Sequence, residues 1–269
     1  MDINHIKIGI IGFGNMGQAM AQGWTRSKKV KPEQILTNGR NIEKLTMNSE
    51  KIGAIPYEDV NQLVADADII VLAVKPYEIQ TVIQPIKKLL QSKIILNIAA
   101  GVNYVDLKNM VLEETSHISL VPNIPVSIGE GITVAENTHS LSTEEEGLVT
   151  ELLSLLGIVE FVETTQLSVA GTLAGCGPAF ASMFIEALAD GAVKYGLTRA
   201  EAYRLASQML VGTGKMQLMT SEHPGVMKDA VSSPGGTTIK GITALEQKGF
   251  RGAVISARWI CTTGVSGWR

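Results

Sequence analysis

A glycine-rich turn near the start of the sequence has the spacing of a nucleotide-binding loop. Gly12, Gly14 and Gly17 form the pattern GxGxxG, which follows an apolar strand predicted at residues 6–11 and precedes a helix predicted at 15–26. In this context the first glycine permits a tight turn, the second admits a pyrophosphate to the backbone, and the third lets the helix pack on the strand. The unpaired N–H groups and the dipole of the helix start favour that anion. We therefore predict a dinucleotide site formed by Gly12, Phe13, Gly14, Asn15, Met16 and Gly17.

The end of the next predicted strand, residues 34–37, indicates which dinucleotide binds. NAD sites usually place an Asp or Glu at this point, where its carboxylate binds the ribose 2′-hydroxyl. Here Asn38, Gly39 and Arg40 follow the strand, and the nearby Glu33 precedes it. A carboxylate would repel a 2′-phosphate, whereas Asn38 and Arg40 can receive one. We predict that NADPH is preferred, with NADH as the second cofactor; the alternative for Arg40 is an ordinary solvated residue at a helix start.

Two further loops follow apolar strands, and the ligands of parallel sheets collect at such carboxyl ends. The small residues Ala99, Ala100 and Gly101 leave space there for a nicotinamide ring and its ribose. We expect Lys75 to position the cofactor or to cap the following helix, and proton donation is the alternative for this side chain. The candidate cofactor residues of these loops are Ala73, Val74, Lys75, Pro76, Asn97, Ala99 and Gly101.

Another segment with chemical potential is Ser-Ser-Pro-Gly-Gly-Thr-Thr-Ile at residues 232–239. Its glycine-containing loop turns into a helix that is predicted to start near Thr237. The exposed N–H groups of this start form a nest for a carboxylate, with the hydroxyls of Ser233, Thr237 and Thr238 nearby. The alternative is a plain Ser/Thr-capped helix start without a ligand.

The order of the predicted elements divides the chain into two parts. Short strands alternate with helices in the first part, and the strands at residues 69–74 and 93–98 are apolar on both faces, as central parallel strands are. After about residue 163 only helices are predicted. The fold class is therefore α/β, with an N-terminal Rossmann-type doubly wound sheet at 1–163 and an all-helical domain at 164–269.

Composition excludes several classes of protein. The 23 Lys and Arg residues against 26 Asp and Glu residues give a net charge of −3, which argues against a nucleic-acid partner because such a partner requires a basic face. The two cysteines lack CxxC spacing and the four histidines are scattered, so no metal site is predicted. The N-terminus shows no secretory signal, and we expect a cytoplasmic protein.

An uncharged run at residues 164–185 is long enough for a membrane-spanning helix. Ten of its 22 residues are Gly, Pro, Ser, Thr or Gln, and the segment from Gly175 to Pro178 is predicted to break such a helix. We therefore expect a soluble, deeply buried segment and no membrane partner. A new helix is expected to begin at Pro178.

Taken together, these segments make the sequence resemble the pyrroline-5-carboxylate reductase family. The first matching segment, the glycine loop, is shared with many dehydrogenases, whereas the last, Ser-Pro-Gly-Gly-Thr-Thr, is highly specific. The matching segments run through nearly the whole chain, at residues 10–17, 73–76, 99–101, 122–131, 175–179, 186–190 and 233–238.

The resemblance implies reduction of (S)-1-pyrroline-5-carboxylate to L-proline with NAD(P)H, the last step of proline biosynthesis. A protonated cyclic imine is already electrophilic, so hydride transfer to its imine carbon, which becomes C5 of proline, needs neither a His–Asp pair nor a metal. By this resemblance Thr238 is the catalytic residue, because its hydroxyl reaches the ring nitrogen, and Asn123 lies near the nicotinamide. The implied substrate-binding residues are Asn123, Ser233, Gly235, Gly236, Thr237 and Thr238.

Three features depart from the family pattern. Ile124 replaces a threonine that the family commonly has after Asn123, residues 119–121 lack an arginine, and residues 262–269 replace a charged C-terminal tail. The family also implies that the helical domains interlock as a homodimer or a higher oligomer. A second copy would cover the apolar helical surface of residues 164–262.

Two other functions remain as alternatives. A β-hydroxyacid dehydrogenase would share the architecture and use a helix lysine as its acid, for which Lys194 and Lys215 are the candidates. A non-catalytic dinucleotide sensor would keep the fold and is expected to lose Thr238 or the substrate loop. Neither alternative predicts the intact Ser-Pro-Gly-Gly-Thr-Thr segment.

Overall fold

The computed structural model describes residues 2–265, with side chains described as far as residue 257. Within this range the strands are Ile8–Ile11 (β1), Ile35–Asn38 (β2), Ile55–Pro56 (β3), Ile69–Leu72 (β4), Ile94–Asn97 (β5), His117–Pro122 (β6), Gly131–Glu136 (β7) and Gly157–Val162 (β8). The α-helices are Asn15–Arg26 (α1), Ile42–Glu50 (α2), Val60–Asp66 (α3), Ile79–Leu90 (α4), Tyr104–Lys108 (α5), Thr143–Ser154 (α6), Thr164–Lys194 (α7), Arg199–Thr220 (α8), Pro224–Ala230 (α9), Thr237–Gln247 (α10) and Phe250–Val265 (α11).

The strands form one sheet in the order β3-β2-β1-β4-β5-β6-β7-β8. Neighbouring strands run parallel except for β6 and β7, which are antiparallel. Ile11 at the end of β1 lies beside Asn38 on one side and Leu72 on the other, and Leu72 lies beside Asn97. The carboxyl ends of β2, β1, β4 and β5 are therefore level along one edge. The predicted Rossmann-type doubly wound sheet is confirmed.

The position of strand β4 in the sheet explains why its sequence is apolar throughout. Ile69 and Val71 point into a hydrophobic cluster that also contains residues of α1 and α6. Ile70 and Leu72 point into a second cluster with residues of α3 and α4. Because helices cover both faces of the sheet, all four side chains are buried and the strand cannot alternate with polar residues.

Helix α1 packs unusually close to the turn that follows β6, where residues 124–128 form a 3₁₀ turn. A Cβ atom added to Gly23 would lie 2.1 Å from the carbonyl oxygen of Val126, so this contact requires glycine. Trp24 is fully buried, and its indole N–H donates to the carbonyl of Leu152. The helix that follows the glycine loop is thereby fixed at its C-terminal half as well.

By internal contacts the chain divides into two compact units, one up to Pro178 and the other from Ala179 onward. The boundary lies inside α7, which begins at Thr164 and runs to Lys194. The expectation that Gly175 to Pro178 breaks the helix, and that a new helix begins at Pro178, is wrong.

A neighbouring asparagine explains why proline is tolerated inside α7. Proline has no N–H, so Pro178 cannot donate to the carbonyl of Ala174 four residues earlier. The Nδ2 of Asn123 donates to this carbonyl at 3.1 Å, and the Oδ1 of Asn123 accepts from the N–H of Ile132 at 3.0 Å. The hydrogen bond lost at the proline is thus replaced from the loop after β6, and the helix continues.

The expectation that the uncharged run is deeply buried is also wrong for the chain by itself. Only 17% of the most apolar 18-residue window of α7 is buried within the chain. Leu167 and Ala174 pack against β7, whereas Leu173 and Met183 are exposed. By length and composition alone α7 is also the one helix among the described residues that could cross a membrane, which is weak evidence on its own.

The second unit contains only helices in its described part, as the sequence predicts. Thr198 caps α8, since the Thr198 hydroxyl accepts from the N–H of Glu201 while the Glu201 carboxylate accepts from Thr198. Helix α11 continues to Val265. The remainder of the C-terminal segment, residues 266–269, lies outside the described residues.

Because the hydrogen bond from Asn123 replaces the one that Pro178 cannot donate, substitutions at these two residues should have coupled effects on the free energy of unfolding. Asn123→Ala should lower the free energy of unfolding by about 1–3 kcal/mol for each buried group left unpaired. In a Pro178→Ala background the helix supplies its own N–H to Ala174, so the cost of Asn123→Ala should fall by at least about 0.5 kcal/mol. Urea unfolding at one fixed protein concentration measures all four combinations.

Pro85 provides the matched control, because it also lies inside a helix, α4. Asn123→Ala combined with Pro85→Ala should be additive. Additivity with Pro178→Ala as well would show that Asn123 does not compensate for the proline.

Candidate cofactor and substrate sites

The predicted cofactor residues lie at one edge of the sheet in the first unit. The loops after β1, β2, β4 and β5 leave the level carboxyl ends of four adjacent parallel strands. Ligands of open parallel sheets bind outside such ends. The topology therefore brings together segments that are separated by up to about 90 residues in the sequence.

The glycine loop has the backbone geometry that a bound pyrophosphate needs. Gly12 has φ +97°, and a Cβ there would lie 2.5 Å from the carbonyl oxygen of Ala73. A Cβ on Gly17 would lie 2.8 Å from the carbonyl oxygen of Gly12, so Gly17 permits α1 to pack against the loop. A Cβ on Gly14 would meet open space, which leaves room for a ligand. The side chain of Phe13 is buried in the core.

The start of α1 suits an anion. Gly14 is the N-cap residue and supplies no side-chain hydrogen bond to the first turn. The first turn of α1, all of which the structure describes, carries no acidic residue. Its N–H groups and the positive end of the helix dipole are therefore available to a pyrophosphate, with Asn15 exposed and Met16 half-buried beside them. These residues fit a dinucleotide cofactor.

Asn38 at the end of β2 uses its side chain within the protein. Its Nδ2 donates to the carbonyl oxygens of Tyr57 at 2.9 Å and Glu58 at 3.2 Å, so both amide hydrogens are occupied. The hydroxyl of Tyr57 donates in turn to Asp66, and this bond raises the pKa of the Tyr57 phenol above its usual value. Asn38 holds the segment after β3, and in this arrangement its amide has no hydrogen left for a 2′-phosphate.

Arg40 forms an ion pair that the sequence did not predict. Its Nη1 lies 2.6 Å from the Oε1 of Glu78, which belongs to a 3₁₀ turn at Pro76–Glu78 after β4. The Oε2 of Glu78 accepts from the N–H of Lys75 at 3.3 Å. An acid therefore does reach the end of β2, but it comes from the loop after β4. The signal that could have found it is topological, because β2 and β4 lie on either side of β1.

The loop after β5 is closed by Asn97, which is fully buried. Its Nδ2 donates to the carbonyl of Val102 and to the hydroxyl of Ser119, and its Oδ1 accepts from the N–H of Ala99. Gly101 has φ +81° and a Cβ there would meet open space. Asn97 thus shapes the small-residue loop from within, and the surface toward the sheet edge is made of backbone and small side chains.

The remaining predicted residues of this edge lie around the 3₁₀ turn and the loop after β6. Ala73, Val74 and Pro76 are half-buried, and Lys75 is exposed. Asn123 is buried, and both of its polar side-chain atoms bind backbone groups of the first unit. A contact between Asn123 and the nicotinamide stays a prediction, whereas its structural role is visible.

The predicted carboxylate loop lies in the second unit and has the predicted helix start. Ser233 accepts from the N–H of Gly236 at 3.0 Å across a turn that has Pro234 at its second position and Gly235, with φ +72°, at its third. Such a type II turn needs glycine at the third position. Helix α10 begins at Thr237, and its N-cap Gly236 supplies no side-chain bond.

The hydroxyl-bearing residues of this loop lie at the surface of the chain. Ser233, Thr237 and Thr238 are exposed. The first-turn N–H groups of α10 and the Thr237 and Thr238 hydroxyls therefore lie at one exposed helix start, an arrangement suited to a carboxylate. Of the residues predicted for the substrate, Asn123 belongs to the first unit and the others to the second.

Among residues 2–257, no group of three or more His, Cys, Asp or Glu side chains is placed to hold a metal ion. Lys194, a candidate acid in the dehydrogenase alternative, ends α7 with its Nζ 5.7 Å from the ring centre of Tyr195.

Comparison with known proteins identifies the family. Residues 164–264 match the model for pyrroline-5-carboxylate reductase dimerisation, and residues 7–101 match the model described as NADP oxidoreductase coenzyme F420-dependent. The pyrroline-5-carboxylate reductase of Treponema pallidum is 39% identical over 256 residues, which cover 94% of this chain and 97% of that protein. The chain belongs to the pyrroline-5-carboxylate reductase family. It is an oxidoreductase.

Two further members of the family are similar to this chain over nearly its whole length. The reductase of Escherichia coli is 37% identical over 256 residues and covers 95% of both proteins. The crystal structure of Plasmodium falciparum pyrroline carboxylate reductase with NADP bound superimposes with a TM-score of 0.86 at 30% identity, over 97% of each chain. The NADP-bound reductase and the matched NADP oxidoreductase model support an NAD(P)H cofactor. Residues 164–264 correspond to the region that the family model describes as the dimerisation region.

The position of Arg40 predicts its contribution to cofactor choice. Arg40→Asp should lower the ratio of kcat/KM for NADPH to that for NADH by about 10- to 100-fold, because a hydrogen-bonded charge on the phosphate is lost and a repulsive one is introduced. Steady-state kinetics with both cofactors measure the ratio. Arg26→Asp makes the same change of charge at the other end of α1 and should leave it unaltered. An unchanged ratio in Arg40→Asp would remove Arg40 from the 2′-phosphate site.

Proposed function

We propose that this protein reduces (S)-1-pyrroline-5-carboxylate to L-proline, preferring NADPH and accepting NADH, as the last step of proline biosynthesis. The observation that carries the proposal is the identity to pyrroline-5-carboxylate reductases over nearly the full length of both chains. The intact glycine loop and Ser-Pro-Gly-Gly-Thr-Thr loop support it.

In the first unit the chain binds and orients the dinucleotide. The open space at Gly14 and the N–H groups at the start of α1 receive the pyrophosphate. Arg40 receives the 2′-phosphate, and the loops at residues 73–76 and 97–101 line the nicotinamide half. When bound, the reduced nicotinamide supplies a hydride.

In the second unit the start of α10 binds the substrate. The backbone N–H groups from Gly236 onward and the hydroxyls of Ser233 and Thr237 hold the carboxylate of the imine. The hydroxyl of Thr238 hydrogen-bonds the ring nitrogen and so orients the C=N bond. As the imine carbon gains the hydride, the electron pair of the C=N bond moves to the protonated nitrogen and neutralises it, so no further acid is required.

We also propose that the protein acts as a cytoplasmic homodimer or higher oligomer without nucleic-acid or membrane partners. The domain boundary that fits this arrangement is 1–163 for the cofactor domain and 164–269 for the helical domain. Support comes from the match to the dimerisation model and from exposed apolar side chains in the second unit, such as Leu205, Leu218 and Ile255. The net charge of −3 is consistent with the absence of a nucleic-acid partner.

A single assay separates the proposed reaction from a β-hydroxyacid dehydrogenase and from a non-catalytic sensor. The protein is mixed with NADPH and pyrroline-5-carboxylate, and in parallel with NADP and a 3-hydroxyacid. We expect oxidation of NADPH with the imine and no reduction of NADP with the hydroxyacid. The absence of imine turnover would overturn the proposal.

Thr238 should affect the reaction through its hydroxyl. Thr238→Ala should lower kcat/KM for the imine by about 10- to 100-fold, or about 1.4–2.7 kcal/mol, and Thr238→Ser should restore most of it. Thr243 lies on the same helix, and its hydroxyl is bonded to the carbonyls of Ile239 and Lys240. Thr243→Ala is therefore the matched control and should retain activity. Equal activity of Thr238→Ala and Thr243→Ala would exclude Thr238 from the mechanism.

A further inference from the structure

The ion pair between Arg40 and Glu78 crosses the end of strand β1. Arg40 follows β2, Glu78 follows β4, and β1 lies between these two strands. Adjacent strands are about 4.8 Å apart, so the pair bridges roughly 10 Å over the point where the glycine loop begins. It therefore lies beside the adenosine end of the cofactor site described above.

The carboxylate and the guanidinium of this pair are held to different degrees. Glu78 is anchored by its own turn, because its Oε2 accepts from the N–H of Lys75 while its N–H donates to the Lys75 carbonyl. Its side chain is 20% exposed, whereas that of Arg40 is 88% exposed. The carboxylate thus has a fixed place, and the arginine, which has no such anchor, is the partner that can move to another anion.

We propose that Glu78 is a specificity-determining residue that competes with the 2′-phosphate of NADPH for Arg40. The inference rests on the proposed use of NADPH and NADH by this site. Binding of NADPH requires Arg40 to exchange the Glu78 carboxylate for the phosphate, and that exchange weakens NADPH binding. NADH carries a neutral 2′-hydroxyl, which does not compete for the guanidinium, so the pair stays intact.

In this competition the acidic residue near the ribose comes from the turn after β4, whereas in NAD sites it usually stands at the end of β2. In many dinucleotide sites the carboxylate at the end of β2 excludes a 2′-phosphate outright. Here Arg40 follows β2 and the acid comes from the 3₁₀ turn after β4, so the two charges offset each other. Glu78 therefore narrows the difference in affinity between the two cofactors without abolishing NADPH binding.

The experiment uses ligands that differ only in the 2′-phosphate and needs no imine. Adenosine 2′,5′-bisphosphate and adenosine 5′-monophosphate are titrated calorimetrically into the full-length protein and into Glu78→Gln. The amide oxygen of glutamine can still accept from the Lys75 N–H, so the turn is preserved. We expect the bisphosphate to bind about two- to fivefold more tightly to Glu78→Gln, the range of one exposed charge pair, with no change for the monophosphate.

Two further variants test the mechanism. Glu43→Gln removes the same charge from the first turn of α2 and should change neither affinity. In an Arg40→Gln background the gain from Glu78→Gln should disappear, because there is no guanidinium to compete for. An unchanged bisphosphate affinity in Glu78→Gln, an equal gain in both backgrounds, or an equal gain with Glu43→Gln would each overturn the proposal. Failure of imine turnover with intact bisphosphate binding would instead contradict the proposed function alone.

Discussion

The register of the parallel strands is the constraint on which the rest of the first unit depends. Ile11, Asn38, Leu72 and Asn97 lie side by side, so four loops leave the sheet at the same level. A shift of one residue in any strand would turn its buried side chains to the opposite face. Both faces of β1, β4 and β5 are packed by helices, and this packing keeps the loops, and with them the cofactor edge, in place.

Three asparagines use this constraint in the same way. Asn38 and Asn97 end strands, and each donates both amide hydrogens inside the protein, to backbone carbonyls and in one case to Ser119. Asn123 follows β6 and donates to the carbonyl of Ala174. Asn38 and Asn97 therefore have no amide hydrogen left for a ligand. Small residues such as Gly14, Ala99 and Gly101 make up part of this sheet edge, beside the larger side chains of Arg40 and Lys75.

Local patterns predicted much of this, and long-range contacts account for most of what they missed. The helix start after Gly14 and the start of α10 near Thr237 depend on neighbouring residues, and the sequence indicated both of them. Glu78 beside Arg40 and Asn123 beside Ala174 join residues 38 and 51 positions apart. Pro178 was therefore predicted to break the helix, because its local sequence does not reveal that Asn123, 55 residues earlier, donates to the carbonyl of Ala174.

That replacement also imposes an order on sequence change. If Pro178 is substituted first, the helix regains its own hydrogen bond and Asn123 merely becomes redundant as a donor to Ala174. If Asn123 is substituted first, a buried carbonyl is left without a partner while the proline is still present. Substituting Pro178 first therefore changes the stability of the fold little, whereas substituting Asn123 first produces a destabilised protein. We expect evolutionary change at this pair of residues to proceed in the first order.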